Sequence, residues 1–151
     1  WIPVHGFMPL SKAVEVGNAT EAFFAENREL MEQHGIKSSY LTCFSGTEFV
    51  IEPSLYWRDE LGDFRLSLIE EEFQEKWKTI EANPESRKVA LKLRDELRDL
   101  YDSHGCCHLQ LGKYYPFQEM IANEPLKQLL NDVKDALDPK RTMNPGSLGL
   151  R

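Results

Sequence analysis

The stretch "IKSSYLTCFSGTEFVIEPSLYW", residues 36–57, holds two runs rich in β-branched and aromatic side chains, parted by Gly46-Thr47-Glu48. Two such runs around a short glycine-containing break read as an antiparallel hairpin. Just upstream, Val16, Ala19, Phe23, Leu30 and Met31 recur at helical spacing, which predicts a helix over 12–34 closed by Gly35 as a left-handed terminator. Before that helix, "IPVHGFMP" (2–9) reads as a strand ended by Pro9, with Ser11 as the helix N-cap.

Downstream of the hairpin the pattern recurs. After the polar loop "RDELGD", Leu66, Ile69, Phe73, Trp77 and Ile80 fall on one face of a helix whose other face is acidic. Asn83 as N-cap and Pro84 at the first helical position open another helix, with Val89, Leu93, Leu97 and Leu100 as its apolar stripe and Gly105 as its stop. Residues 106–113 then read as a strand, so His34-Gly35 and His104-Gly105 each join a helix to a strand. The order β-α-β-β-α-β is that of an α+β, ferredoxin-like sandwich: a four-stranded antiparallel sheet with helices on one face. A C-terminal helix over 125–137 and an extended tail complete it. The other face of the sheet is left uncovered.

Composition narrows the function classes. The chain has 151 residues, 41% of them hydrophobic, enough for one domain with a real core. A formal charge of -7 with scattered cations argues against nucleic-acid binding, which needs clustered Lys and Arg. No apolar run reaches the roughly 20 residues of a membrane span. Three cysteines, Cys43, Cys106 and Cys107, are too few and too odd in number for a disulfide framework, and this favours a reducing, cytoplasmic setting. The start at Trp1, directly in an apolar segment, reads as a piece of a longer chain.

Strand alternation over 106–113 puts Cys107, Leu109 and Leu111 on one face and Cys106, His108 and Gln110 on the other. With the leucines toward the helices, His108 and Gln110 project from the uncovered face, where imidazole and amide can bind a ligand or move a proton. The plainer reading makes His108 a hydrogen-bonded polar residue of the sheet. Zinc at Cys106, Cys107 and His108 is poorly supported, since neighbouring strand residues diverge and no Cys-x-x-Cys exists. Packing explains the cysteines, capping explains His34 and His104, and a solvated helix face explains the acidic run at Glu70–Trp77. Tyr114, Tyr115 and Phe117 form an aromatic cluster, either core or pocket wall.

The C-terminus adds a resemblance. Lys134, Asp138, Pro139, Asn144, Pro145 and Gly146 form a "K-x-x-x-D-P-x-x-x-x-N-P-G" ending after a helix. This is similar to the close of FAD-linked oxidases of the vanillyl-alcohol oxidase and p-cresol methylhydroxylase superfamily. "FMPLSKAVEV" resembles the opening of that family's C-terminal cap domain. The resemblance, nearest the glycolate oxidase and D-lactate dehydrogenase-like members, implies that 1–151 is a cap that closes over a flavin. It implies FAD held mainly by the protein's own N-terminal FAD-binding domain, outside these residues. The implied substrate is a small alcohol or 2-hydroxy acid, oxidised by hydride transfer to flavin, and a homo-oligomer is compatible.

Within it, His108 matches the catalytic histidine, Gln110 a substrate or flavin contact, Lys113 a charge partner for a carboxylate, Tyr114 a pocket wall, and Asn144 a residue docking the tail. Cys107 stands where the family has a glutamate, and Ser45 and Glu52 fall about where two metal-binding histidines would, so no metal of that kind is implied. The alternative is a non-catalytic ferredoxin-like module that binds through its open sheet.

Overall fold

The computed structural model describes residues 1–110, 112–121 and 123–150. The hairpin forms as expected: β3 (Lys37–Ser45) and β4 (Glu48–Tyr56) pair antiparallel from Lys37↔Tyr56 to Ser45↔Glu48. Gly46 takes φ +65° at the turn, a conformation that favours glycine. Along the other edge of β4 lie β1 (Ile2–Pro3) and β2 (Gly6–Pro9), also antiparallel. Ile2↔Leu55 and Gly6↔Ile51 keep one register, so 2–9 runs as a single strand with an interruption at Val4-His5. Pro53 accounts for that interruption. Its carbonyl accepts the Val4 N–H at 3.0 Å, but proline has no N–H to return to Val4.

The result is an α+β fold with an antiparallel sheet, four-stranded when β1 and β2 are counted separately, and, among the described residues, seven α-helices. Two of them form the main helical layer, α1 (Ala13–Glu26) and α5 (Pro84–Ser103). Val4, Met8, Ile51 and Leu55 of the sheet join Val16 and Phe24 of α1 and Leu93, Leu97 and Tyr101 of α5 in one buried cluster. The Asn83 side chain accepts the Ser86 N–H at 3.1 Å, with Pro84 at the first turn, as the sequence predicts.

Two expected helices are broken. The span 12–34 divides into a 3₁₀ turn at Leu10–Lys12, α1, and α2 (Arg28–Gln33). Ser11 lies inside the 3₁₀ turn, and Lys12 precedes α1 with no side-chain cap. The Asn27 amide donates to the Phe23 carbonyl at 2.9 Å, a local bond that competes with continuation of the helix. The run from Leu66 to Ile80 divides into α3 (Asp63–Ser67) and α4 (Glu71–Lys78), neither of which buries a residue. After α5 come the single turn α6 (Phe117–Met120) and α7 (Glu124–Leu137).

The segment after α5 departs most from expectation. Instead of a strand over 106–113, the described residues make one isolated bridge, Phe7↔Cys107, with both N–H···O bonds at 2.8 Å. In an antiparallel ladder the next bonded pair would place Leu109 opposite His5. Side chains take those places: the Tyr115 hydroxyl accepts the His5 N–H at 3.3 Å, and His108 Nδ1 donates to the His5 carbonyl at 2.6 Å. The face assignment is also reversed, because Cys106 enters the core while Cys107 and Leu109 are exposed. Leu111 lies outside the described residues.

No helix among the described residues is long and apolar enough to cross a membrane.

Candidate functional site

On the sheet face turned away from α1 and α5, register aligns His5 with Glu52 and Glu52 with Leu41. Strand alternation leaves that face to Phe7 and Val50 on one side of this row and Ser54 and Ser39 on the other. The β3 positions are exposed along their whole length, whereas His5 is buried beneath Tyr115.

Three side chains connect there. His5 Nε2 lies 2.9 Å from Glu52 Oε2, and His5 Nδ1 lies 3.3 Å from the Tyr115 hydroxyl. A neutral imidazole satisfies both contacts: Nε2–H donates to the carboxylate, and Nδ1 accepts from the phenol. Burial pushes the Tyr115 phenol up, so its hydroxyl is held protonated as the donor. The arrangement of phenol, imidazole and carboxylate can take a proton at the tyrosine oxygen and stabilise the imidazolium that results.

His108 sits beside this chain without belonging to it. Its ring is stacked on Tyr115, with centroids 4.1 Å apart, and its side chain has no exposure. Nδ1 faces the His5 carbonyl and Nε2 faces Asp102 Oδ1, each at 2.6 Å. Both partners are acceptors, so making both bonds requires a proton on each ring nitrogen. This ring is clamped, and the expected position on the uncovered face is not the one it occupies.

The other anticipated residues do not converge on it. Gln110 and Lys113 are exposed. Tyr114 lies over the Arg94 guanidinium, 3.4 Å from ring centroid to Cζ, and donates to Asp95 at 2.8 Å, both on α5. Asn144 is exposed in the tail at φ +44°. His34 and His104 are the C-cap residues of α2 and α5. Among the described residues, no three His, Cys, Asp or Glu side chains form a group suited to a metal ion. Burial pushes the Cys106 thiol up to about 11, away from the range of reactive thiolates.

Sequence patterning does not pair His5 with Glu52. They lie on separate strands, and only the pairing register brings them together.

The C-terminal motif folds into a closed knot. Lys134 Nζ donates to Asp138 Oδ2 and to the Met143 carbonyl, both at 2.6 Å. Asp138 in turn accepts the backbone N–H groups of Thr142 at 3.1 Å and Met143 at 2.9 Å. Gly146 at φ +83° lets the chain reverse after it. The Lys134 ammonium holds the Asp138 carboxyl down at about 2. A depressed carboxylate stabilises above its ordinary range, and that contribution is lost as pH falls through the folded value. Protection of the Thr142 and Met143 amides, taken relative to the unstructured exchange rate at each pH, is therefore expected to hold at pH 4 and to fall as pH approaches 2. The variant Asp138→Ala is expected to lose that protection already at pH 7; retained protection would mean that the carboxylate does not hold the tail.

No family model, curated protein or solved structure matches this chain.

Proposed function

We propose that this chain is the substrate-binding cap of an FAD-dependent oxidoreductase acting on a small alcohol or 2-hydroxy acid. The observation that carries the reading is the hydrogen-bonded chain Tyr115–His5–Glu52 beside the exposed strand β3. Support also comes from the resemblance of the Lys134-to-Gly146 ending to that family. We read the architecture as ferredoxin-like. The Phe7↔Cys107 bridge stands for a fourth strand, next to the strand 2–9, then β4, then β3.

Leu41 and Cys43, exposed beside the half-buried Phe7, offer a mostly apolar strip suited to covering a planar ring system, with the Tyr115–His5–Glu52 chain at its side. Flavin, when bound, supplies the hydride acceptor. The residues of this chain would do the rest. The strip shields the reacting face from water, and His5 accepts at Nδ1 a proton that passes through the Tyr115 hydroxyl, with Glu52 stabilising the charge.

His5→Gln and Tyr115→Phe in the full-length protein test this. Each is expected to lower turnover by about 10²-fold, while the flavin absorption spectrum remains that of the bound cofactor. Unchanged turnover in both variants with flavin bound would remove the relay from the mechanism.

A further inference from the structure

At the end of the sheet remote from the Gly46 turn, residues of α3 and α4 help line a half-open cavity of about 1280 Å³. This exceeds the roughly 300–1,000 Å³ of a common small-molecule pocket. The amphipathic run that the sequence singles out between Leu66 and Ile80 is not spent on the core: Ile69, Trp77 and Ile80 line this cavity instead. All three tryptophans of the chain, Trp1, Trp57 and Trp77, are in its wall.

Its charge runs against the rest of the molecule. The chain carries a formal charge of -7, yet the wall holds five cations and two carboxylates. Both carboxylates, Asp59 and Glu60, are taken by Arg87: Asp59 receives Nε at 2.6 Å and Nη2 at 2.8 Å, and Glu60 receives Nη2 at 3.2 Å. Asp59 also accepts the Trp57 indole N–H at 3.0 Å and the Asn83 N–H at 2.8 Å, which fixes the floor to the start of α5. The remaining cations, Lys37, Arg58, Arg65 and Lys76, have no carboxylate partner among the described residues.

We infer that this cavity is a binding site for a planar aromatic anion bearing a multiply charged acid group, such as an aryl phosphate or an aromatic polycarboxylate. Indole faces favour a flat π-system by stacking. Four cations without a carboxylate partner exceed what a single carboxylate needs and suit a dianion, with the arginines able to grip it through two N–H groups each. This site is separate from Tyr115–His5–Glu52 and does not depend on the function assigned to that chain.

Calorimetric titration of the full-length protein with 1-naphthyl phosphate, 1-naphthol and inorganic phosphate tests it. The phosphate ester is expected to bind saturably at one site, at least about tenfold tighter than either half-ligand, since each half engages only part of the wall. Arg65→Ala combined with Lys76→Ala should weaken the ester about tenfold or more and leave naphthol unchanged. Trp77→Ala should weaken ester and naphthol and spare phosphate. These side chains are solvent-exposed, and circular dichroism verifies that the variants fold; Lys37→Ala with Arg58→Ala provides a second charge variant. Absence of saturable ester binding, or ester affinity unchanged in both the charge and the Trp77 variants, overturns the assignment. A cavity filled by other residues of a longer chain would give the first of those results.

Discussion

Replacing His108 by alanine is expected to destabilise the fold by about 3 kcal/mol, a large part of the roughly 5–15 kcal/mol that holds a domain together. The ring does three things at once. It donates to the His5 carbonyl, pairs with Asp102 on α5, and supplies the flat surface on which Tyr115 rests. Truncation leaves the carbonyl unpaired at a buried edge, and a cavity beneath Tyr115. Asp102 is 28% exposed and can recover water, which keeps the loss at the low end for a broken buried pair. His108→Gln retains one donor and should lose less. Urea midpoints for both variants measure the effect. A His108→Ala protein with an unchanged midpoint but no activity would return His108 to the chemistry and remove it from the architecture.

That expectation shows where sequence reading succeeded and where it failed. The hairpin, the Asn83-Pro84 helix start and the glycine stops at Gly35 and Gly105 were legible, because each is encoded within a few residues by turn chemistry or periodicity. The fate of 106–113 was not. Its alternation is that of a strand, and what displaces the strand is a pair of side chains, one on the segment itself and one at Tyr115. Together they satisfy both backbone groups of a residue more than a hundred positions earlier. No local pattern encodes such a substitution. The same holds for the site, since His5 and Glu52 meet only because 2–9 and β4 adopt one register. The acidic helix is half legible: periodicity marks its apolar positions, but their use as a cavity wall depends on where α3 and α4 lie.

The second large effect expected is at Gly6, and it arises from space. A Cβ placed there would lie 3.1 and 3.2 Å from two ring carbons of Tyr101 and 3.3 Å from Met8 Cε. In most strands, exchanging glycine for a residue with a side chain lowers the entropy lost on folding, by about 0.5–1 kcal/mol for alanine. Here the sign depends on whether Tyr101 can yield. The ring is fully buried, and its hydroxyl lies 3.2 Å from Thr20 Oγ1, which itself donates to the Val16 carbonyl at 2.8 Å. Moving the ring therefore means moving α1 against α5, and a packed interior resists that. Gly6→Val is expected to cost about 3 kcal/mol by overpacking, and Gly6→Ala about 1 kcal/mol. Tyr101→Leu alone also destabilises, by opening a cavity, but in the pair Gly6→Ala with Tyr101→Leu each change relieves the other. The double variant should lose clearly less than the sum of the singles in thermal or urea unfolding. Strict additivity would mean that the strand does not rest on the tyrosine ring and that Gly6 is there for another reason.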